Sequence, residues 1–348
     1  MIPVVWSEDQ QRHDPRAEIW VGVRTPAVEV AARTTAIRAA LASGPEVAAR
    51  PQPDDALLTV HDAALVDFLR TAWAAWEEAG LPDDPGQDRV VPYIFPHPGL
   101  TPSPREPVAT WARTGMHCFD TMTLIGPGTW EAARAAAGTA LTAADLVAAR
   151  EAPVAYACTR PPGHHVTRTA YGGSCYLNNA ALAAARLREG LAGPVALIDV
   201  DAHHGNGAQA IFAGRTDVLT ASVHVDPAAG WFPHFLGHAD ETCGGTNRNL
   251  PLAPGTGDRE WLAAVQEAAR WATGPAPAAL VVALGVDAAG GDPESPLEVT
   301  EDGYRAAGGV LGALGLPTVI VQEGGYALHT IGALVRAFLD GFEEAVHG

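Results

Sequence analysis

Residues 199–207 read Asp-Val-Asp-Ala-His-His-Gly-Asn-Gly, the densest run of ligating groups in the chain. Side chains two apart at a strand end point to the same side, so Asp201 and His203 can reach one ion together. A third protein ligand would still leave a position open for water, as hydrolytic zinc sites require. Asp292, in Gly290-Gly291-Asp292-Pro293, is the candidate. Its glycines permit close backbone approach and Pro293 stiffens the turn. Two carboxylates and one imidazole are harder ligands than most zinc sets, so ferrous iron, cobalt and manganese stay open beside zinc.

A second cluster, Arg160-Pro161-Pro162-Gly163-His164-His165, presents two histidines on a loop stiffened by prolines. One imidazole could take a proton from the attacking water while the other stays charged beside the leaving group. Asp199 and Asn206 are the candidate partners that orient these rings. A carboxylate partner favours imidazolium and an amide does not, which would split the pair into different protonation roles. Tyr326, after Glu323-Gly324-Gly325, could donate its hydroxyl to a substrate carbonyl and complete an oxyanion site. Taken singly, each has a plainer reading: Asp292 as a turn former, the histidines as a surface pair, Tyr326 as a packed aromatic. Together they describe metal-assisted amide hydrolysis. Gly-x-Ser-x-Gly and the Gly-x-x-x-x-Gly-Lys phosphate loop are both absent.

These groups need a common platform. Apolar runs at 154–159, 195–200, 218–223, 280–284 and 318–322 alternate with Ala-rich helical stretches such as 178–189 and 258–273. Nearly continuous apolar strands separated by helices predict a parallel sheet covered on both faces, an α/β fold. Each run ends in a polar cluster: Gly163-His164-His165, Asp201 to His204, His224 with Asp226, Asp287 with Asp292, and Glu323 to Tyr326. Ligands of open parallel sheets bind beyond the carboxyl ends of the strands, so the five clusters should converge on one cleft. Residues 61–79 read as an amphipathic helix with Leu65, Phe68, Leu69, Ala72, Trp73 and Trp76 on one face. The Pro-, Gly- and Asp-rich stretch 81–107 predicts an irregular excursion.

Composition limits the partners. The formal net charge of −18 opposes binding to a phosphate backbone, so nucleic acid is not expected. No apolar run approaches the roughly 18 residues of a membrane span, and the first ten residues do not read as a secretory signal. Cys118, Cys158, Cys175 and Cys243 form no Cys-x-x-Cys pair, which fits a reduced, cytoplasmic setting.

The motifs together resemble the histone deacetylase superfamily, and within it the bacterial acetylpolyamine amidohydrolases. The resemblance spans almost the whole chain. It runs from Ser7-Glu8-Asp9 and Val60-His61-Asp62 through Pro127 to Glu131, Arg160 to His165, Asp199 to Gly207 and Phe232 to Gly237. It ends with Gly285-Val286-Asp287, Asp292-Pro293 and Glu323 to Tyr326. It implies one arginase-like α/β domain over residues 1–348 and the same roles: metal on Asp201, His203 and Asp292, His164 and His165 as the tandem pair, Tyr326 as carbonyl polariser. It also implies structural potassium near Asp199, Asp201, His203 and Ser222, a homodimer, and an 81–107 loop that narrows the mouth. Phe232 keeps one channel wall. Two departures follow: Trp111 and Met122 stand where acidic residues would meet a substrate ammonium, and Ser174 stands where an aromatic wall would precede Cys175.

The expected substrate is a small N-acylated amine such as an acetylpolyamine. A protein acyl-lysine deacylase and a specialised-metabolite deacylase share the chemistry. An arginase-like binuclear centre would need an aspartate where Gly205 stands, and a non-catalytic binding module would have little use for the retained set.

Overall fold

Alternate residues of the central strands bury into opposite cores, as a parallel sheet covered on both faces demands. The computed structural model describes residues 1–348. In chain order the elements are β1 (Val4–Trp6), β2 (Ala17–Trp20), β3 (Val23–Pro26), α1 (Ala32–Leu41), β4 (Glu46–Ala48), α2 (Ala63–Glu78), α3 (Thr110–His117), α4 (Thr129–Ala148), β5 (Val154–Ala157) and α5 (Asn179–Gly190). There follow β6 (Val195–Asp199), α6 (Asn206–Phe212), β7 (Val218–Val225), β8 (Asn247–Leu252), α7 (Asp258–Thr273), β9 (Ala279–Leu284), α8 (Glu301–Gly312), β10 (Thr318–Gln322) and α9 (Ile331–His347).

Eight strands form one sheet in the order β4-β1-β5-β10-β9-β6-β7-β8. Every pairing in it is parallel. β2 and β3 make a separate antiparallel hairpin. Val5, Ala155, Leu197, Val281 and Val319 pack under α2, α4, α5 and α6. Their neighbours Val4, Tyr156, Ile198, Val282 and Ile320 pack under α1, α7, α8 and α9. The period of two within each strand thus sorts one sheet between two cores.

The five anticipated strands are present, as are the helices near 178–189 and 258–273. Asn178 caps α5 by accepting from the Ala181 amide at 2.9 Å, the usual satisfaction of an orphan N–H. On α2, Leu65, Phe68, Leu69, Ala72 and Trp76 are buried and Trp73 half-buried, as the period implied. Residues 81–107 hold no helix or strand and are largely exposed. The sequence reading did not identify β1, β4 or β8. The first two have only three residues, and β8 carries two asparagines, an arginine and a proline, so none shows a usable apolar run. No helix is long and apolar enough to cross a membrane.

Candidate active site

The carboxyl ends of β5, β6, β9 and β10 deliver the polar clusters to one place. Asp201 is fully buried just beyond β6. One of its oxygens accepts from the His203 amide at 2.9 Å, the other from the Gly324 amide at 2.7 Å. Backbone from two other strands therefore comes very close. A Cβ at Gly285 or Gly324 would collide with the Asp201 carboxylate, so glycine is required at both positions by contact alone.

His203 Nδ1 lies 3.2 Å from Asp201 Oδ1 and 3.1 Å from Asp287 Oδ2. Ligand atoms of Asp201, His203 and Asp287 all fall within 4.8 Å of one another, a set able to hold a metal. Asp292 borders this set but is differently engaged. Its Oδ2 accepts from the Tyr326 and Ala327 amides at 2.7 and 3.0 Å, and Oδ1 from the Glu294 amide at 3.0 Å. The structure thus brings Asp201 and His203 together and adds Asp287, which the sequence reading noted only as part of a cluster. It strings the loop carrying Tyr326 between Asp201 and Asp292.

The charge balance suits a cation. Asp199, Asp201, Asp287 and Glu323 are each no more than 1% exposed and Asp292 is 6% exposed. Burial and the Asp201 carboxylate push Asp287 up to about 7, and burial pushes Glu323 up to about 8. Buried carboxylates raised in this way resist ionising together, and a bound cation would compensate their charge.

His164 and His165 have ring centroids 4.0 Å apart and are both buried. His164 Nδ1–H donates to Asp199 Oδ2 at 2.9 Å. His165 Nδ1–H donates to Asn206 Oδ1 at 2.6 Å. The Asn206 amide nitrogen donates to the His165 carbonyl at 3.1 Å, which fixes which end of the amide faces the ring. Burial alone would lower His164, but Asp201 and Asp199 outweigh it and raise it to about 10. Burial, with the charges of His164 and His203, drives His165 well below 6.5. The two neighbours are thus pushed in opposite directions, His164 up by carboxylates and His165 down by burial and adjacent positive charge.

Tyr326 is half-buried, and the Arg33 guanidinium lies 4.7 Å from its ring centroid. Arg33 also donates to the carbonyls of Gly325 (2.6 Å) and Glu323 (2.5 Å). A buried carboxylate, Glu29, pairs with Arg33 at 2.9 Å and with Arg160 of the histidine loop at 2.8 Å. Glu323 Oε2 accepts from the Gly163 and His164 amides at 2.6 and 3.1 Å. Arg33 and Glu29 were missed. The only sequence signal was an i,i+4 Glu–Arg spacing, common on any exposed helix.

Above the histidines lies a cleft of about 710 Å³ lined by Trp20, Phe119, Asp120, Met122, Asn206 and Phe232. A neighbouring cavity of about 670 Å³ shares Trp20, Met122 and Phe232 and adds Glu18, His203, Trp231 and Glu294. Phe232 and Met122 line both cavities. Trp111 is 41% exposed on α3 and is not among the residues lining either cavity. Ser174 lines a small space with His13, Glu18 and Tyr176. Asp120, missed in sequence, accepts from the Met122, Thr123 and Gly173 amides at 2.9, 2.9 and 2.6 Å, tying both sides of the mouth together. Asp199 and Ser222 are register partners on β6 and β7. A Cβ at Gly205 would collide with Asp199 Oδ2, so no carboxylate for a second metal fits there.

Comparison with known proteins gives the family and the fold. A histone deacetylase domain matches residues 26–342. The chain is 40% identical to acetylpolyamine amidohydrolase 1 of Pseudomonas aeruginosa, over 98% of this chain and 99% of that one. It is 39% identical to the acetylpolyamine amidohydrolase of Mycoplana ramosa, over 97% and 98%. It superposes on the crystal structure of acetylpolyamine aminohydrolase from Burkholderia pseudomallei with a TM-score of 0.93 at 37% identity, covering 99% of each chain. The chain belongs to the histone deacetylase family and is an amidohydrolase-type enzyme.

Proposed function

We propose that this chain, as one catalytic domain over residues 1–348, removes the acyl group, in the first instance acetyl, from a small N-acylated amine such as an acetylpolyamine. The observation that carries the reading is the unequal histidine pair, His164 on Asp199 and His165 on Asn206, beside the Asp201–His203 cluster. Asp201, His203 and Asp292 would hold a divalent ion, zinc first, with ferrous iron, cobalt or manganese compatible. Such an ion polarises an amide carbonyl and acidifies water.

The chain's own groups do the rest. Neutral His165 presents a free Nε2 and takes the proton of the attacking water. Imidazolium His164, held by Asp199, stabilises the negative charge that develops. The Tyr326 hydroxyl donates to the oxygen of the former carbonyl. His165 then returns its proton to the leaving nitrogen, giving a free amine and a carboxylate. Potassium near Asp199, Asp201, His203 and Ser222, a homodimer and a cytoplasmic setting complete the proposal. Four free thiols support the last.

The substrate's charge is supported by Glu18 and Glu294. Both line the cavity that reaches His203, and burial followed by the Glu294 and Asp120 charges raises Glu18 to about 7. An ammonium group entering this cavity relieves that repulsion. The acidic residues missing at Trp111 and Met122 are thus replaced by Glu18 on β2 and by Glu294 in the segment after Asp292. With zinc loaded, kcat/KM for N-acetylputrescine is expected to exceed that for an acetyl-lysine peptide at least tenfold. A peptide preference moves the chain to the protein-deacylase reading, and no hydrolysis of either favours a binding module.

The third ligand has its own test. Asp292→Asn should abolish stoichiometric metal, read by elemental analysis of the purified protein. Asp287→Asn should weaken binding by about 10–100-fold, the usual effect of removing a group that orients a ligand. The reverse order of losses would make Asp287 the ligand.

A further inference from the structure

Ser174 leaves the cleft without the aromatic wall that the resemblance implies before Cys175. The structure places Ser174, at φ 59°, against the small space beside His13 and Tyr176 instead. Another residue stands opposite Phe232. The Phe119 and Phe232 ring centroids are 6.3 Å apart with planes 25° apart, and both rings line the same cleft. Phe232 in turn stands edge-on to His165, at 4.9 Å and 79°. The aromatic pair therefore sits next to the group that would move the proton.

We propose that Phe119, reached from the end of α3, is the second wall of the substrate channel, and that the Phe119–Phe232 slot selects an unbranched methylene chain beside the scissile amide. The proposal rests on the amidohydrolase reading above. Phe119 is 37% exposed, but its backbone is clamped. Its amide donates to the Tyr171 carbonyl at 3.1 Å, and the Tyr171 amide donates to the His117 carbonyl at 2.7 Å. Asp120, the next residue, holds the Gly173 amide. A Cβ at Gly172 would collide with the edge of the Phe119 ring, and one at Gly173 would collide with His165. The bare backbone at 172–173 is what lets Phe119 stand in the space.

The slot's width sets its selectivity. A methylene carbon rests about 3.5–4.0 Å from an aromatic face, so a chain between two faces needs about 7–8 Å. The observed 6.3 Å centroid separation lies about an ångström short of that. A linear chain therefore requires the rings to part by about an ångström, and a branched carbon beside the nitrogen requires more.

The test compares N-pentylacetamide with N-methylacetamide, and measures n-pentylamine binding by calorimetry. The ratio of kcat/KM for the pentyl over the methyl amide is expected to fall at least tenfold in Phe119→Ala, mainly through KM, with Phe119→Leu intermediate. Pentylamine affinity should fall in the same order. A ratio within twofold of wild type in a Phe119→Ala protein with a native circular dichroism spectrum overturns the assignment. If Phe119→Ala does not fold, an unchanged ratio in Phe119→Leu overturns it equally. If wild type cleaves neither amide, the amidohydrolase reading fails, and equal pentylamine affinity in wild type and variant then decides against the wall.

Discussion

His165→Ala is expected to lower kcat by about 10²–10⁴-fold, the usual range for losing a positioned acid–base group, while bound metal and unfolding midpoint stay near wild type. His165 makes no hydrogen bond to the metal cluster; its ring binds Asn206 and stands edge-on to Phe232 and, at 6.0 Å, to His203. The variant should keep substrate affinity and lose turnover. Asn206→Asp adds a sharper check. A carboxylate in place of the amide would favour imidazolium at His165, so kcat should fall at neutral pH and recover in part as pH rises. A His165→Ala enzyme with more than a tenth of wild-type kcat would show that the proton moves elsewhere.

Glu29→Gln is expected to destabilise the fold by about 3–5 kcal/mol, because it strands buried charge. Arg33 and Arg160 are 1% and 0% exposed and share this one carboxylate. Burial would raise Glu29, but the Arg160 and Arg33 charges outweigh it and hold it below 4.5. A carboxylate lowered by folding stabilises fully above its unfolded value, and that contribution disappears as pH falls through the folded value. The wild-type advantage over Glu29→Gln should therefore be complete at neutral pH and shrink only in acid. Urea denaturation at pH 7 measures the difference. Glu260→Gln, which touches only the exposed pair with Arg259, should leave the midpoint unmoved. Equal midpoints for wild type and Glu29→Gln would refute the bridging role. Since Arg33 holds the Tyr326 loop and Arg160 the histidine loop, activity should fall before global unfolding is complete.

The central strands and the chemistry at their ends were legible because both signals are local. An apolar run of five residues names a strand, and a polar cluster after it names a cleft. What the sequence hid depends on long-range approach. Glu29 and Arg33 sit far in sequence from the Arg160 and Gly325 groups they hold. Glu18, Phe119 and Asp120 line the mouth only because the β2–β3 hairpin and the end of α3 fold over it. Asp287 and Asp292 lie five apart, and spacing alone does not say which carboxylate turns inward. Ser174 marked a missing wall, but nothing in the sequence said that Phe119 would fill it.

The place of β10 in the sheet has a consequence for how the protein matures on the ribosome. β10 lies between β5 and β9 although it is the last strand made. Until it inserts, β4-β1-β5 and β9-β6-β7-β8 are two half-sheets with open inner edges, the kind of surface that invites misassociation. The candidate ligands Asp201, His203, Asp287 and Asp292 all belong to the second half, while His164 and His165 follow β5 in the first. A nascent chain could therefore assemble its metal-holding half before its proton-transferring half is joined to it. Arrival of the final strand would close the sheet and deliver Tyr326, four residues past its end, in the same step.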